Sequence, residues 1–461
     1  MGLFSLIGGN KKKEEEEKKK QLERQEEAKQ KLLEDQKKAH EDLPWPRPMP
    51  VSRIKVQGNE ETILEDPVTE ERKNEIGQLV YEEKLSYDSI KDLKLEELLF
   101  VLTAQEFFNA KSPLQNFSEN HRVMYNELLS RIRDAQDIYC VYDKATNYPF
   151  VNNNFAYIYL DETAANAAVE VYNKQFRNLF VKKCPSHPEG TSTKDQGFFD
   201  YLYYLGIEKI IIDNGRYRAR FSRSEIVAPP NFSGDSKNKP PMNPGLRLFM
   251  LDFLSEARWP VKYEKRIQVL QTKELRMVAA IRKGHYIVPV QHEGPAEVMD
   301  DGRIKFSKDT KLRFPVMKTK DEKVFLPIFT DGIEFSKRFG KAGFEGAVFG
   351  FADVLRFVAD KDGIVINPMG ENIMLQRDKL YALEAAAISK AAKANEQAKT
   401  ETKKLSREAI IKGASAEDVA QKIIQMPAKN KEELNKEETN EEADTKEKLS
   451  TDFEDEELPK E

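Results

Sequence analysis

The sequence predicts an α+β fold, built as two tandem copies of one mixed-sheet module flanked by helices, with a charged N-terminal helix and a disordered acidic C-terminal tail. Three observations predict it. An ordered series of helices and strands recurs after roughly 150 residues. The hydrophobic fraction, 39%, is low and the charged fraction, 33%, is high, and both deviations lie at the two ends, so the middle has the composition of an ordinary core. Two cysteines in 461 residues, and no run approaching the ~18 apolar residues of a membrane span, exclude a disulfide scaffold and a spanning helix.

The N-terminal segment, 1–50, reads as a charged helix and a Pro-rich linker. Residues 11–40 alternate blocks of Glu and Lys, with Glu14 to Glu17 followed by Lys18 to Lys20. Opposite charges four residues apart support an exposed helix. Leu22, Leu32 and Leu33 stand isolated, so no apolar stripe suits a coiled coil and a solvated single helix is expected. Alternate prolines from Pro44 to Pro50 block helix and predict a stiff extended spacer. Met1 to Ile7 is apolar and runs into Lys11 to Lys13; the plain expectation is a free start. Peripheral contact of residues 1–13 with an anionic membrane is the alternative. Leu6 breaks the myristoylation pattern that Gly2 opens.

The first module is expected over 67–227. Asp66-Pro67 offers an N-cap and a first-turn proline, with helices at about 67–84 and 94–110; Leu95, Leu98, Leu99 and Leu102 supply the buried face of the second. A helix through Met124 to Arg133 precedes the strand Ile138 to Tyr142. The second copy, 246–385, repeats this as a helix from Leu246 to Ala257, another from Thr272 to Arg282 and the strand Tyr286 to Val290.

The copies then stay in step. Ala156 to Asp161 and Val324 to Asp331 each read as a strand ending on an Asp that can cap the next helix. Leu179 to Val181 and Gly346 to Gly350 read as short strands, each followed by a helix. Each copy closes on a hairpin, Gly206 to Phe221 around Asp213-Asn214-Gly215 and Gly363 to Leu375 around Asn367 to Gly370, with turn residues that supply the required backbone. Pro and Gly mark 228–245 as the linker. C-terminal helices are expected over 386–427. Beyond 428, the stretch from Lys429 has six lysines against fourteen carboxylates, with too little apolar surface to fold.

The second copy resembles the N-terminal domain of the SseB family. Leu326-Pro327-Ile328-Phe329-Thr330-Asp331 and Asp362-Gly363-Ile364-Val365-Ile366-Asn367-Pro368 carry the likeness. It extends upstream to Tyr286-Ile287-Val288-Pro289-Val290 and downstream to Asp378-Lys379-Leu380. The first copy looks like a diverged member, with Leu160-Asp161 and Asp213-Asn214-Gly215 at the corresponding places. The resemblance implies a fold and carries over no reaction.

No catalytic or metal motif is visible. The five histidines are scattered, and Cys184-Pro185-Ser186-His187 offers two ligands without a matching pair. Gly340, Gly343 and Gly346 follow a helix, and Gly340-Lys341 is followed by Ala342 where a phosphate loop needs Ser or Thr. Asp331, Asp353, Asp360 and Asp362 read as cap and loop residues, and Thr330 lacks a visible base. A nearly neutral body with an acidic tail excludes a general nucleic-acid binder. The expected function is a non-catalytic protein-interaction or scaffold protein of the cytoplasm, with no cofactor and an unidentified protein partner. Its expected contact surface is Pro327, Phe329, Thr330, Asp331, Asn367 and Pro368. The alternative is a small-ligand sensor or uncharacterised enzyme with a pocket between the modules.

Overall fold

A computed structural model describes residues 5–59, 62–186, 197–229, 241–298, 304–306, 310–340 and 343–389. The expected tail beyond 428, most of the helical segment 386–427, the middle of the linker and the first four residues lie outside these. The chain divides into two compact units, Met1–Leu380 and Tyr381–Glu461; of the second, residues 381–389 are described and are helical.

Helix α1 (Ser5–His40) is the expected charged rod, but it is not solvated throughout. Near its end Gln36 and His40 are buried. The Gln36 amide donates to the Pro113 carbonyl at 3.1 Å, and His40 packs on Phe108 with ring centroids 4.9 Å apart. Burial lowers the His40 pKa, with the backbone at Ser112 and Phe108 opposing it. The prolines that follow are not a free spacer. Trp45 packs edge-on against Phe100 and Phe108, and the Met49 amide donates to the Arg216 carbonyl at 3.0 Å. The described residues between 43 and 66 thus form a strap across the first module.

The first helix of the module is shorter than expected: α2 (Glu70–Ile76) followed by a 3₁₀ turn, Gly77–Tyr81. Thr69 caps it, accepting from the Arg72 amide. Asp66 takes the Val68 amide through Oδ1 at 3.1 Å, and its Oδ2 accepts from the Tyr217 hydroxyl at 2.7 Å and the buried Lys73 ammonium at 2.8 Å, but the helix begins four residues on. Helices α3 (Tyr87–Ile90), α4 (Leu95–Lys111) and α5 (Phe117–Asp134) follow.

The sheet of the first module comprises β1 (Asp137–Asp143), β2 (Tyr148–Pro149), β3 (Val151–Asn152), β4 (Phe155–Tyr159), β5 (Leu179–Pro185), β6 (Lys209–Ile212) and β7 (Ala219–Ser222). Its main order is β5-β1-β4-β6-β7; β4 and β6 are parallel and the other pairs antiparallel. Helix α6 (Glu162–Lys174) lies between β4 and β5 in sequence; α7 (Phe198–Tyr204) precedes β6 and α8 (Arg223–Ile226) follows β7. Side chains alternate between two cores, as a strand period of two requires. Ile138, Cys140, Ile158, Ile210 and Ile212 join one, on the side of α4, α5 and α7. Val141, Tyr157, Tyr159 and Ile211 join the other, under α6.

The second half comprises α9 (Pro244–Ala257), α10 (Arg266–Lys283), β8 (His285–Glu293), β9 (Ala296–Val298), β10 (Ile304–Phe306), β11 (Lys311–Arg313), β12 (Met317–Lys318), β13 (Val324–Ile328), α11 (Gly332–Phe339), β14 (Glu345–Gly350), α12 (Phe351–Phe357), β15 (Gly363–Ile366) and β16 (Ile373–Gln376). Here β14 pairs antiparallel with β8, a bridge joins Ile287 to Phe329, β13 and β15 are parallel, and β15 and β16 antiparallel. This is the order and pairing sense of the first half, and the register agrees too. Tyr139 opposes Tyr159 and Lys183 as Ile287 opposes Phe329 and Val348. The amides of Asp213 and Asn367 donate to the Ile158 and Ile328 carbonyls, both at 3.0 Å.

Helix α9 is apolar almost all round, the pattern of a helix enclosed on all sides. Leu246, Met250 and Leu254 enter the second core, whereas Leu251 enters the first. Close approach is enforced at its start. A Cβ on Gly206, which has φ +70°, would lie 2.1 Å from the Pro244 carbonyl oxygen. No helix among the described residues is long and apolar enough to cross a membrane.

Candidate functional site

In open α/β sheets, ligands enter the crevice beyond the carboxyl ends of parallel strands. Each half has one such place, beyond β13 and β15 in the second and beyond β4 and β6 in the first.

Beyond β13 and β15 the chain supplies Thr330, Asp331 and Asn367. Asn367 takes the left-handed backbone, φ 48°, a conformation its short polar side chain tolerates. That aims its amide at the neighbouring strand end. Its Oδ1 accepts from the Thr330 amide at 3.0 Å, and its Nδ2 donates to Thr330 Oγ1 at 2.8 Å and Glu371 Oε2 at 2.9 Å. Asp331 caps α11, its Oδ1 accepting from the Glu334 amide at 3.0 Å while Oδ2 takes the Thr330 hydroxyl at 2.9 Å.

Into this ring comes Arg247 from the first turn of α9. Its Nε donates to Glu371 Oε1 at 2.8 Å, its Nη2 to Glu334 Oε1 at 2.8 Å and its Nη1 to Asp331 Oδ2 at 3.3 Å. The first module adds Tyr148, the first residue of β2. Its hydroxyl donates to Glu334 Oε1, and its ring lies 4.8 Å from the guanidinium. Lys337 reaches both Glu334, at 2.8 Å, and the Tyr148 hydroxyl. Gly370 is required here, since a Cβ would stand 2.7 Å from Glu334 Oε2 and 3.1 Å from the Tyr148 hydroxyl.

Burial opposes the charge on Arg247, but Glu371, Tyr148, Asp331 and Glu334 outweigh it and hold its pKa above the ordinary value. Burial likewise raises the Tyr148 phenol; Arg247 opposes this and the carboxylates of Glu371 and Glu334 add to it. Tyr148 therefore stays a hydrogen-bond donor at neutral pH. The side chains of Arg247, Glu334 and Glu371 are 3%, 1% and 0% exposed, so the cluster is closed off from solvent. A guanidinium stands among the carboxylates where a metal would have to sit, and no group of three or more His, Cys, Asp or Glu among the described residues could hold one.

This corrects the expected contact surface. Pro327, Phe329, Thr330, Asp331 and Asn367 are buried and Pro368 is half-buried. The loops do converge, but they face inward. Pro327 lies within the β13–β15 pair, and Phe329 packs edge-on against Phe335 and Phe339. Sequence reasoning missed Arg247, Tyr148, Glu334 and Glu371. One signal was available: a cation in the first turn of an apolar helix opposes the helix dipole and needs a partner.

The first half closes its crevice differently. Asp161 caps α6 through the Thr163 amide at 2.9 Å, and Asp213, φ 58°, stands where Asn367 does. The strap lies over it. Asn214 Nδ2 donates to the Val51 carbonyl at 2.9 Å and the Tyr172 hydroxyl at 3.1 Å, and the Tyr217 hydroxyl donates to the Pro46 carbonyl at 3.2 Å. Asp213 Oδ2 is buried without a hydrogen-bond partner. Burial pushes the Asp213 carboxyl up to about 7; Arg216 pulls it down, and Glu96 and Asp161 push it further up.

Two other places were open to chemistry. Cys140 and Cys184 are free thiols, and burial raises both pKa values, which suppresses the reactive thiolate; His187 lies outside the described residues. Where the modules meet, an open cleft of about 380 Å³ is lined by Lys55, Val56, Gln57, Phe176, Pro260, Val261 and Lys262.

The second half is thus a mixed-sheet α+β module whose ligand crevice is filled by its own chain. Residues 266–382 match the family model described as the SseB protein N-terminal domain. The match runs from the start of α10 past β16, so Arg247 and Tyr148 lie outside it. No curated protein and no solved structure matches the chain.

Replacing Arg247 by Met leaves three buried carboxylates facing one lysine. The expected loss is about 3–5 kcal/mol, read from the denaturation midpoint, and adding Glu334→Gln with Glu371→Gln should restore most of it, because the groups are coupled. For Asp213, a folded pKa raised above the unfolded value of about 3.9 means its contribution is fully present below about pH 4 and is lost as pH rises toward 7. The melting-temperature gain of Asp213→Asn over wild type should therefore be small at pH 4 and grow to a plateau above pH 7.

Proposed function

We propose that this protein is a non-catalytic interaction or scaffold protein, and that its first half is a diverged copy of the SseB-like module. The observation that carries the reading is the filling of both crevices by the chain itself. Arg247 and Tyr148 occupy one and the N-terminal strap the other. Groups that would be candidates for chemistry are spent on one another. The agreement in strand order, pairing sense and register supports duplication. The long charged helix α1, docked near its C-terminal end, suits a spacer or handle projecting from a rigid body. A cytoplasmic setting suits two free thiols.

A second reading, a small-ligand sensor, is favoured by the open cleft. Lys55 and Lys262 flank the exposed ring of Phe176, whose backbone holds φ 64°, a conformation uncommon for a bulky residue. Such a site would take a small anion with an apolar body.

The first reading is tested by complementation of a gene deletion with Asp331→Asn. A protein whose near-UV spectrum is unchanged should restore the wild-type phenotype, because Asp331 does no chemistry; a folded variant that fails would count against it. The second is tested by thermal shift with a panel of aromatic carboxylates and phosphates. A shift in wild type that disappears in Lys55→Glu/Lys262→Glu is expected, and no shift from any compound would remove this reading.

A further inference from the structure

Strand β14 is the outer strand of the second module's sheet. Among the described residues it pairs with β8 and with no other strand, so its other edge offers a row of backbone donors and acceptors. Such an edge is a template for another strand unless it is defended by charge, proline or cover.

The corresponding edge in the first module is defended. β5 carries Lys182 and Lys183, both exposed, and ends on Pro185. Its outer face is roofed by α6, thirteen residues long, which packs on β5 as well as β1. β14 reads Glu345-Gly346-Ala347-Val348-Phe349-Gly350, with one charge at its first residue and none after it. Val348, in the register position of Lys183, is 53% exposed. The helix that should roof it, α11, has eight residues and rests on β8. Phe335 and Phe344 are left half-buried, and a Cβ at Gly346 would meet the Phe335 ring at 3.6 Å. A flat apolar strand and the ring beside it are open together.

We propose that a second copy of this chain covers this edge, β14 pairing antiparallel with its counterpart about a two-fold axis at Val348. The two sheets then run on as one. The strand is complementary to itself in that arrangement. Val348 opposes Val348, Ala347 opposes Phe349 and Gly346 opposes Gly350, so each pair shares a face and no two bulky aromatics collide. A two-fold axis also separates the like charges. The two Glu345 carboxylates fall at opposite ends. Each then approaches the corner of the other copy where His285 opposes Gly350 and where Arg282 and Lys283 end α10. Six residues of strand are short of the ~800 Å² per partner of a standard interface. Val348, Phe335 and Phe344 supply the additional apolar area, and the expected dimer is concentration-dependent. The proposal is independent of whether the protein is catalytic.

Sedimentation equilibrium of the full chain over a micromolar concentration series tests it. Wild type should approach twice the monomer mass. Val348→Lys, which installs the first module's defence, should remain a monomer, and so should Val348→Glu, with circular dichroism confirming that each is folded. Val348→Thr, a strand former without charge, should dimerise, as should Leu275→Lys on the exposed face of α10, where Leu275 is 69% exposed. A wild type monomeric throughout, including one that binds another protein's strand instead, overturns the proposal. So does a dimer that survives both charged variants at 348 or is abolished by Leu275→Lys.

Discussion

Arg247 is the charge around which the two halves close. A guanidinium at 3% exposure can persist only because three carboxylates and an aromatic face surround it, and those groups come from separated stretches of chain: Asp331 and Glu334 at the start of α11, Glu371 after β15, and Tyr148 from the other module. Removing water from such a cluster is expensive, and the geometry must repay it. The arrangement therefore tolerates little displacement of one module against the other. Helix α9 gives that constraint its reach. Leu251 points into the first core while Leu246, Met250 and Leu254 point into the second, and its far end is tied as well. The Trp259 indole donates to the Gln175 carbonyl at 2.7 Å, and the Arg177 guanidinium stacks on that indole at 3.7 Å.

The same principle recurs along α9. Asp252 and Glu256 are buried like Arg247, and each has a partner: Lys273 at 2.9 Å from Asp252, and the Arg266 guanidinium at 3.6 Å from Glu256, which also accepts from the Tyr263 hydroxyl at 3.0 Å. A helix that is apolar on most sides but carries three compensated charges can be enclosed in one orientation, because a rotation would leave each charge unpaired. In this helix the apolar surface supplies the driving force and the charges select the alignment.

The two halves answer one structural problem with different materials. In each, a parallel pair of strands opens a crevice at its carboxyl end. The second half fills it with side chains from α9 and the first module. The first fills it with backbone from the N-terminal strap, and Asp213 there is buried with Oδ2 unpartnered, and burial pushes its carboxyl upward. The edges differ as well. β5 carries the exposed Lys182 and Lys183, whereas β14 carries one charge, at Glu345.

The elements that follow from local chemistry were legible in the sequence. Strand alternation, the Asp caps at 161 and 331 and the turns at Asp213 and Asn367 are written within a few residues of chain, and so is the order that repeats. The likeness of the second half to the SseB domain rested on such local runs. What could not be read locally was which way these loops face. Thr330, Asp331 and Asn367 have the composition of a surface turn, and only the arrival of Arg247 and Tyr148 from about 80 and 180 residues away encloses them. The prolines of 44–50 were legible as extended chain, but not as a strap, because that depends on Trp45 finding Phe100 and Phe108. Short-range backbone preference determined the elements; long-range pairing of buried charge and aromatic surface decided what they cover, since a partner distant in sequence leaves no periodic trace.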